Sequence, residues 1–179
     1  MGECQNVVLG DSYHQEREAI IGPLLRDLAE MVVGFVGFGA IARSAAHRLR
    51  PFGATLLYHN RARKPADEAQ YGVRYREFDE LLREADAVVA VLPLTPETRG
   101  LFGVKQFALM RPDAISVNVG RGALVDQRAL ADALLQRRIY AAGLDVFDPE
   151  PVTQDNPIVV VAPQLRDRLL LSPHIAGVT

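Results

Sequence analysis

Two short stretches of the sequence carry residues whose types and spacing suit them to hold a nucleotide. The first, VGFVGFGAIA, sets Gly37, Gly39 and Ala42 in a G-x-G-x-x-A pattern between an apolar run and an amphipathic segment. At a strand-to-helix junction the first glycine permits a tight turn and the second lets backbone approach a pyrophosphate. A small third residue lets the helix lie close to the strand. Ala40 and Ile41, opening the helix, then offer unpaired N–H groups and the positive end of its dipole to phosphate oxygens. The second stretch is YHNRARK, residues 58–64. In a dinucleotide site the second strand usually ends in Asp or Glu, which accepts hydrogen bonds from the adenosine ribose and repels a 2′-phosphate. Here Asn60 stands in that place, followed by Arg61, Arg63 and Lys64. Losing the carboxylate and gaining cations predicts NADP(H) as the favoured cofactor, with NAD(H) as the alternative. The bland reading of the same residues is a solvated basic turn.

The elements needed to position these turns follow from hydrophobic patterning. Continuous apolar runs at 31–37, 54–60, 86–93, 114–120 and 141–147, with shorter ones at 72–76 and 168–173, read as strands buried on both faces. Between them, 40–50, 78–85, 103–110 and 126–138 read as helices, the last with Asp126 as its N-cap. Strands alternating with helices and lacking period-two patterning predict an α/β fold, a doubly wound parallel sheet of about seven strands in a single Rossmann-like domain. That domain is expected over residues 31–179. Residues 1–30, with a short strand-like NVVLG and a helix-like segment broken at Gly22-Pro23, are expected to be a packing arm or remnant.

The bulk numbers narrow the class of partner. The chain has 179 residues, a formal net charge of −2 and ordinary hydrophobic and charged fractions, which gives no hint of a nucleic-acid or membrane partner. A single cysteine, Cys4, excludes an internal disulfide and suits a reducing compartment, so a cytoplasmic location is expected. There is no CxxC or HExxH, so metal chemistry is not expected. His14, His47 and His59 have no constellation of partners in the sequence.

Further along, LPLTPETRGL, SVNVGRGALVD, AAGLDVFDPEP and LSPHIAGVT occur in order. Together with the glycine turn they resemble the successive signatures of NAD(P)-dependent D-2-hydroxyacid dehydrogenases, in the style of glyoxylate/hydroxypyruvate reductases. The resemblance covers roughly residues 26–179. It implies hydride transfer between a nicotinamide cofactor and a small 2-hydroxy or 2-oxo acid. It also implies roles for particular residues. Arg121, between Gly120 and Gly122, would grip the acid's carboxylate and carbonyl with its rigid fork of donors. His174 would be the general acid/base, and Glu150 the carboxylate that orients it and favours the imidazolium. Asp145 would contact the nicotinamide carboxamide, beside His174. Leu92, Pro93, Thr98, Val119 and Gly120 would line the cofactor, although Thr98 serves equally well as a helix cap. Dimerisation through this domain is implied as well.

The sequence also departs from the family's pattern. Members have a substrate domain built from a long N-terminal segment and a C-terminal helix, and here that domain is expected to be essentially absent. The chain is therefore expected to be inactive or weak alone. The alternative is a non-catalytic dinucleotide-binding sensor or interaction module.

Overall fold

The computed structural model describes residues 27–165 and 167–177. The expectations for residues 1–26 lie outside the described residues. Among the described residues seven strands form one sheet: β1 Val32–Val36, β2 Thr55–His59, β3 Arg74–Tyr75, β4 Ala87–Ala90, β5 Ile115–Asn118, β6 Ala141–Leu144 and β7 Leu169–Leu171. Their order is β3-β2-β1-β4-β5-β6-β7, and every pairing is parallel. This is the expected doubly wound α/β architecture. Its helices are α1 Ala40–Leu49, α2 Pro65–Tyr71, α3 Phe78–Glu84, α4 Val104–Leu109, α5 Gln127–Leu135 and α6 Pro157–Val161.

Register is what makes this sheet a platform. Val36 pairs with both His59 and Ala90, Ala90 with Asn118, Asn118 with Leu144, and Leu144 with Leu171. The carboxyl ends of six strands therefore lie in one row. Whatever residue follows each strand stands on the same edge, and strand order reverses between β1 and β4, where open α/β sheets hold their ligands.

The apolar runs are explained by burial on both faces. Val33 and Phe35 of β1 join Phe38, Ala42, Ala46, Leu56, Tyr58 and Val73 in one cluster. Val36 faces a larger cluster that includes Leu57, Leu81, Leu82, Phe102, Phe107, Leu130 and Leu134. Ala42, the small third residue of the glycine pattern, is fully buried where α1 crosses the sheet.

Two helices were not evident from patterning. α2 is short and polar, so it has no apolar stripe to display, although Pro65 at its start and Gly72 at φ 67 after its end are ordinary stop and start signals. α6 is Pro-Ile-Val-Val-Val, a β-branched run that reads as strand by propensity. The tertiary context overrides it through Asn156, whose side chain caps the Ile158 N–H at 3.0 Å, with Pro157 as the first helical residue. Strands are also shorter than the apolar runs: β4 ends at Ala90, and Leu92 and Pro93 beyond it line a cleft. Asp126 caps α5 as expected, accepting from the N–H groups of Arg128 and Ala129.

Candidate functional site

The glycine turn sits at the carboxyl end of β1. Gly37 has φ 96, and a Cβ there would stand 2.9 Å from the Val91 carbonyl oxygen and from the Leu92 side chain. Only glycine combines that conformation with that closeness. Gly39 is the N-cap of α1, and a Cβ on it would meet nothing within 4 Å, so the space over the helix start is open. Ala40 and Ile41 are exposed there. The turn is also tied to β2: the Gly37 N–H donates to the His59 carbonyl at 3.0 Å, and the Phe38 N–H donates to Asn60 Oδ1 at 2.8 Å. The Asn60 Nδ2 is buried and has no hydrogen-bond partner. Exposed backbone over a helix start and an uncharged residue at the end of β2 fit a dinucleotide.

Beside the turn lies a cleft of about 440 Å³ lined by His59, Asn60, Arg61, Lys64, Leu92, Pro93 and Thr98, among others. His59, to which the sequence alone assigned nothing, is thus brought to the site; its Nδ1 lies 3.0 Å from the Arg76 carbonyl oxygen. Thr98 is used by its own turn. Its hydroxyl donates to the Pro93 carbonyl at 2.8 Å and accepts from the Thr95 N–H at 2.8 Å. Arg63 departs from the expectation of a phosphate ligand. Its guanidinium makes a bidentate pair with Glu68 at 2.7 and 2.8 Å, and it does not line the cleft. The physical reason is proximity, since the first turn of α2 presents a carboxylate five residues away.

The second half of the site follows β5, β6 and β7. Asn118, buried at the end of β5, accepts from the Gly120 N–H at 3.1 Å and donates to the Arg121 carbonyl at 3.0 Å. It shapes the loop that carries Val119, Gly120 and Arg121, and the sequence reading overlooked it. Its signal was a polar residue at the end of an otherwise apolar strand. On the other side of Arg121, a Cβ on Gly122 would lie 1.9 Å from the carbonyl carbon and oxygen of Phe147. The arginine is exposed while its neighbour is locked against the loop after β6.

That loop holds Glu150, whose Oε1 accepts the Phe147 N–H at 2.7 Å and whose Oε2 lies 2.7 Å from His174 Nδ1. Bonding to the Phe147 N–H first, and to His174 second, holds the Glu150 carboxyl below its usual range against the opposing effect of burial, and Arg121 adds a smaller attraction. The structure therefore brings Arg121, Glu150 and His174 to one end of the sheet edge.

Asp145, directly after β6, is only 4% exposed. Its Oδ1 accepts from the Ser172 hydroxyl at 2.6 Å and the Ile175 N–H at 3.0 Å, and its Oδ2 from the Ala176 N–H at 3.0 Å. These three bonds bracket His174, which has φ 56, a left-handed conformation that side chains other than glycine rarely adopt. Burial pushes the Asp145 carboxyl up, but the Ser172, Ala176 and Ile175 bonds and the nearby His174 outweigh it and hold it down. A carboxylate accepts about four hydrogen bonds. The expected carboxamide contact thus competes for little remaining capacity.

Among the described residues no helix is long and apolar enough to cross a membrane. The sequence profile of the D-isomer specific 2-hydroxyacid dehydrogenase NAD-binding domain matches residues 4–176. Glyoxylate/hydroxypyruvate reductase B of Salmonella newport (strain SL254) is 44% identical over 155 residues, covering 86% of this chain and 46% of that protein. The chain thus spans about half the length of the curated relatives it matches. Among solved structures, D-lactate dehydrogenase with NAD+ from Lactobacillus jensenii is 34% identical with a TM-score of 0.76, over 86% of this chain and 48% of that one. A glyoxylate reductase from Paecilomyes thermophila is 37% identical with a TM-score of 0.76, over 86% and 45%. With the parallel sheet, the glycine turn and the carboxyl-edge cluster in place, the chain belongs to the D-isomer specific 2-hydroxyacid dehydrogenase family and corresponds to its NAD-binding domain.

Proposed function

We propose that this chain is the nucleotide-binding part of a reductase that interconverts a small 2-oxo acid, such as glyoxylate or hydroxypyruvate, and its 2-hydroxy acid at the expense of NADP(H). The observation that carries this reading is the His174–Glu150 pair at 2.7 Å beside Arg121, on the edge that also holds the glycine turn. When bound, the nicotinamide supplies the hydride to the carbonyl carbon of the oxo acid. Arg121 binds the acid's carboxylate and carbonyl oxygen through its guanidinium fork. His174, protonated, gives its proton to the carbonyl oxygen and becomes neutral, and in the reverse direction takes it back. Glu150 keeps the ring in place through its 2.7 Å contact with Nδ1. Asp145 fixes the backbone around His174, with the carboxamide contact as its second role.

The cofactor choice rests on the cleft. Asn60 places no charge at the end of β2, and Arg61 and Lys64 line the cavity beside it. Gly37, Gly39, Ala40 and Ile41 receive the pyrophosphate, while Leu92, Pro93, Thr98, Val119 and Gly120 border the rest of the nucleotide. Work in the cytoplasm as a homodimer, without a nucleic-acid or membrane partner, completes the reading and is supported by family likeness and composition.

Titration calorimetry with NADPH and NADH tests the cofactor. Charge-assisted bonds to a phosphate, discounted for exposure and salt, support a preference for NADPH of about ten- to a hundredfold. Asn60→Asp reverses much of it while keeping the acceptor for the Phe38 N–H. Equal affinities, or tighter NADH, overturn it. NADPH oxidation by the enzyme that carries this domain, with glyoxylate and hydroxypyruvate, tests the reaction. His174→Ala abolishes it, and nucleotide binding with no oxidation of either acid favours the sensor alternative.

A further inference from the structure

Four cations lie at the cleft or against the first turn of α2: Arg43, Arg61, Arg63 and Lys64. The first turn of α2 sorts them. Asp67 takes Arg43 of α1, with Nη2 to Oδ2 at 2.9 Å. Glu68 takes Arg63 with both oxygens, at 2.7 and 2.8 Å. Glu68 is itself anchored, because it accepts the hydroxyl of Tyr58 at 3.0 Å, and that fully buried tyrosine accepts the Lys64 N–H at 2.7 Å. Arg61 and Lys64 line the cleft; Arg63, between them in sequence, does not.

We propose that Glu68 is a specificity-determining residue, which limits the preference for a 2′-phosphorylated nucleotide by withholding Arg63 from the cleft. The inference rests on the reading that Arg61 and Lys64 meet the 2′-phosphate. Glu68 is ionised in this arrangement, since the Arg63 bond holds its carboxyl below the usual range. It therefore cancels one positive charge of the basic turn and fixes the direction of that guanidinium. The restraint is light. Arg63's side chain is 63% exposed, and ion pairs of that kind contribute little to stability. Replacing the carboxylate by an amide of the same shape keeps a partner for the Tyr58 hydroxyl, raises the local charge by one and frees Arg63 to turn toward a phosphate.

The test is calorimetry at low salt with NADPH and NADH on four proteins: wild type, Glu68→Gln, Arg63→Ala and the double variant. Glu68→Gln tightens NADPH by about three- to tenfold, a range set by one added exposed charge pair, and leaves NADH within about twofold. Arg63→Ala alone leaves NADPH within about twofold, because the guanidinium is not in use. The double variant loses the gain, and added salt narrows it. Unchanged or weaker NADPH binding by Glu68→Gln, at an unchanged thermal midpoint, overturns the inference. A tenfold loss in Arg63→Ala overturns it independently, whether or not the glutamine variant folds. A wild type without preference for NADPH removes the cofactor reading and this inference together; a wild type with the preference but an inert Glu68→Gln removes the inference alone.

Discussion

The two halves of the site are built from different materials. The end proposed to take the adenosine offers backbone and exposed cations: the open start of α1 over Gly39, and Arg61 and Lys64 in a turn tied down by Tyr58. The end proposed to face the nicotinamide relies on two carboxylates that organise a loop. Asp145 holds the backbone on either side of His174, and Glu150 holds the ring. A ligand can be gripped by charge with modest precision, whereas proton and hydride transfer need atoms placed to a fraction of an ångström. The contrast predicts that damage at one end should lower affinity and damage at the other should lower rate.

The sharpest way to break that contrast is to ask a polypeptide of these 179 residues to do both jobs alone. It spans about half the length of its relatives, and it is expected to titrate with NADPH while turnover with hydroxypyruvate falls short of the longer enzymes by a factor of about 10⁴ or more, through lost orientation and water exclusion. Robust turnover that His174→Ala abolishes would show that one half suffices. Next in size is Gly122→Ala. Its Cβ collides with the Phe147 carbonyl, so the loop carrying Glu150 must shift, at a cost of about 1–3 kcal/mol or more. Denaturant unfolding measures it, and a loss below the experimental error would mean the two loops are not in contact.

Asp145→Ala strips acceptors from two backbone N–H groups and a hydroxyl. Hydrogen–deuterium exchange at Ile175 and Ala176 should accelerate, while affinity for 2′-phospho-ADP-ribose, which lacks the nicotinamide, should stay within about twofold. Equal losses at both ends would erase the distinction between them. Acid gives the smallest effect. Asp145, Glu150 and Glu68 all have lowered folded-state pKa values, so the stability they contribute is complete above the ordinary carboxylate range and is lost as pH falls through the folded values. The buried Asp145 should make the His174 loop the more acid-sensitive end, whereas the Arg63–Glu68 pair is screened by water. Amide resonances followed from pH 7 downward should show larger changes at residues 172–176 than at 60–64 once the carboxylates are protonated; larger changes at 60–64 would place the stronger coupling at the Arg63–Glu68 pair.

The difference between the halves also decided what could be read beforehand. The glycine turn and the basic turn are local, so adjacent residues already contain the chemistry, and long apolar runs announced the parallel sheet. Arg121, Glu150 and His174 stand far apart in sequence, and only their resemblance to a family linked them before register brought three strand ends into one row. Partner choice was not legible. Whether Arg63 faces a phosphate or Glu68 depends on where a short polar helix places its first turn, and α2 has no hydrophobic stripe to reveal it. The involvement of Asp145 with Ser172 and Ala176 was hidden likewise, because it depends on β7 lying beside β6. α6 went unread for a different reason, since its β-branched valines carry no helical signal of their own and an asparagine cap and core contacts supply it.

The left-handed backbone at His174 has a kinetic consequence. Three hydrogen bonds to one buried carboxylate maintain that conformation, so the fold bears the strain and holds the residue that carries the imidazole. An arriving acid need not spend its binding energy on collecting the proton donor, and that energy remains available for the transition state. Loosening the loop converts a fixed group into a searching one. In an enzyme that carries this domain, the change should therefore appear as a less favourable activation entropy, with the nucleotide's affinity left nearly as it was.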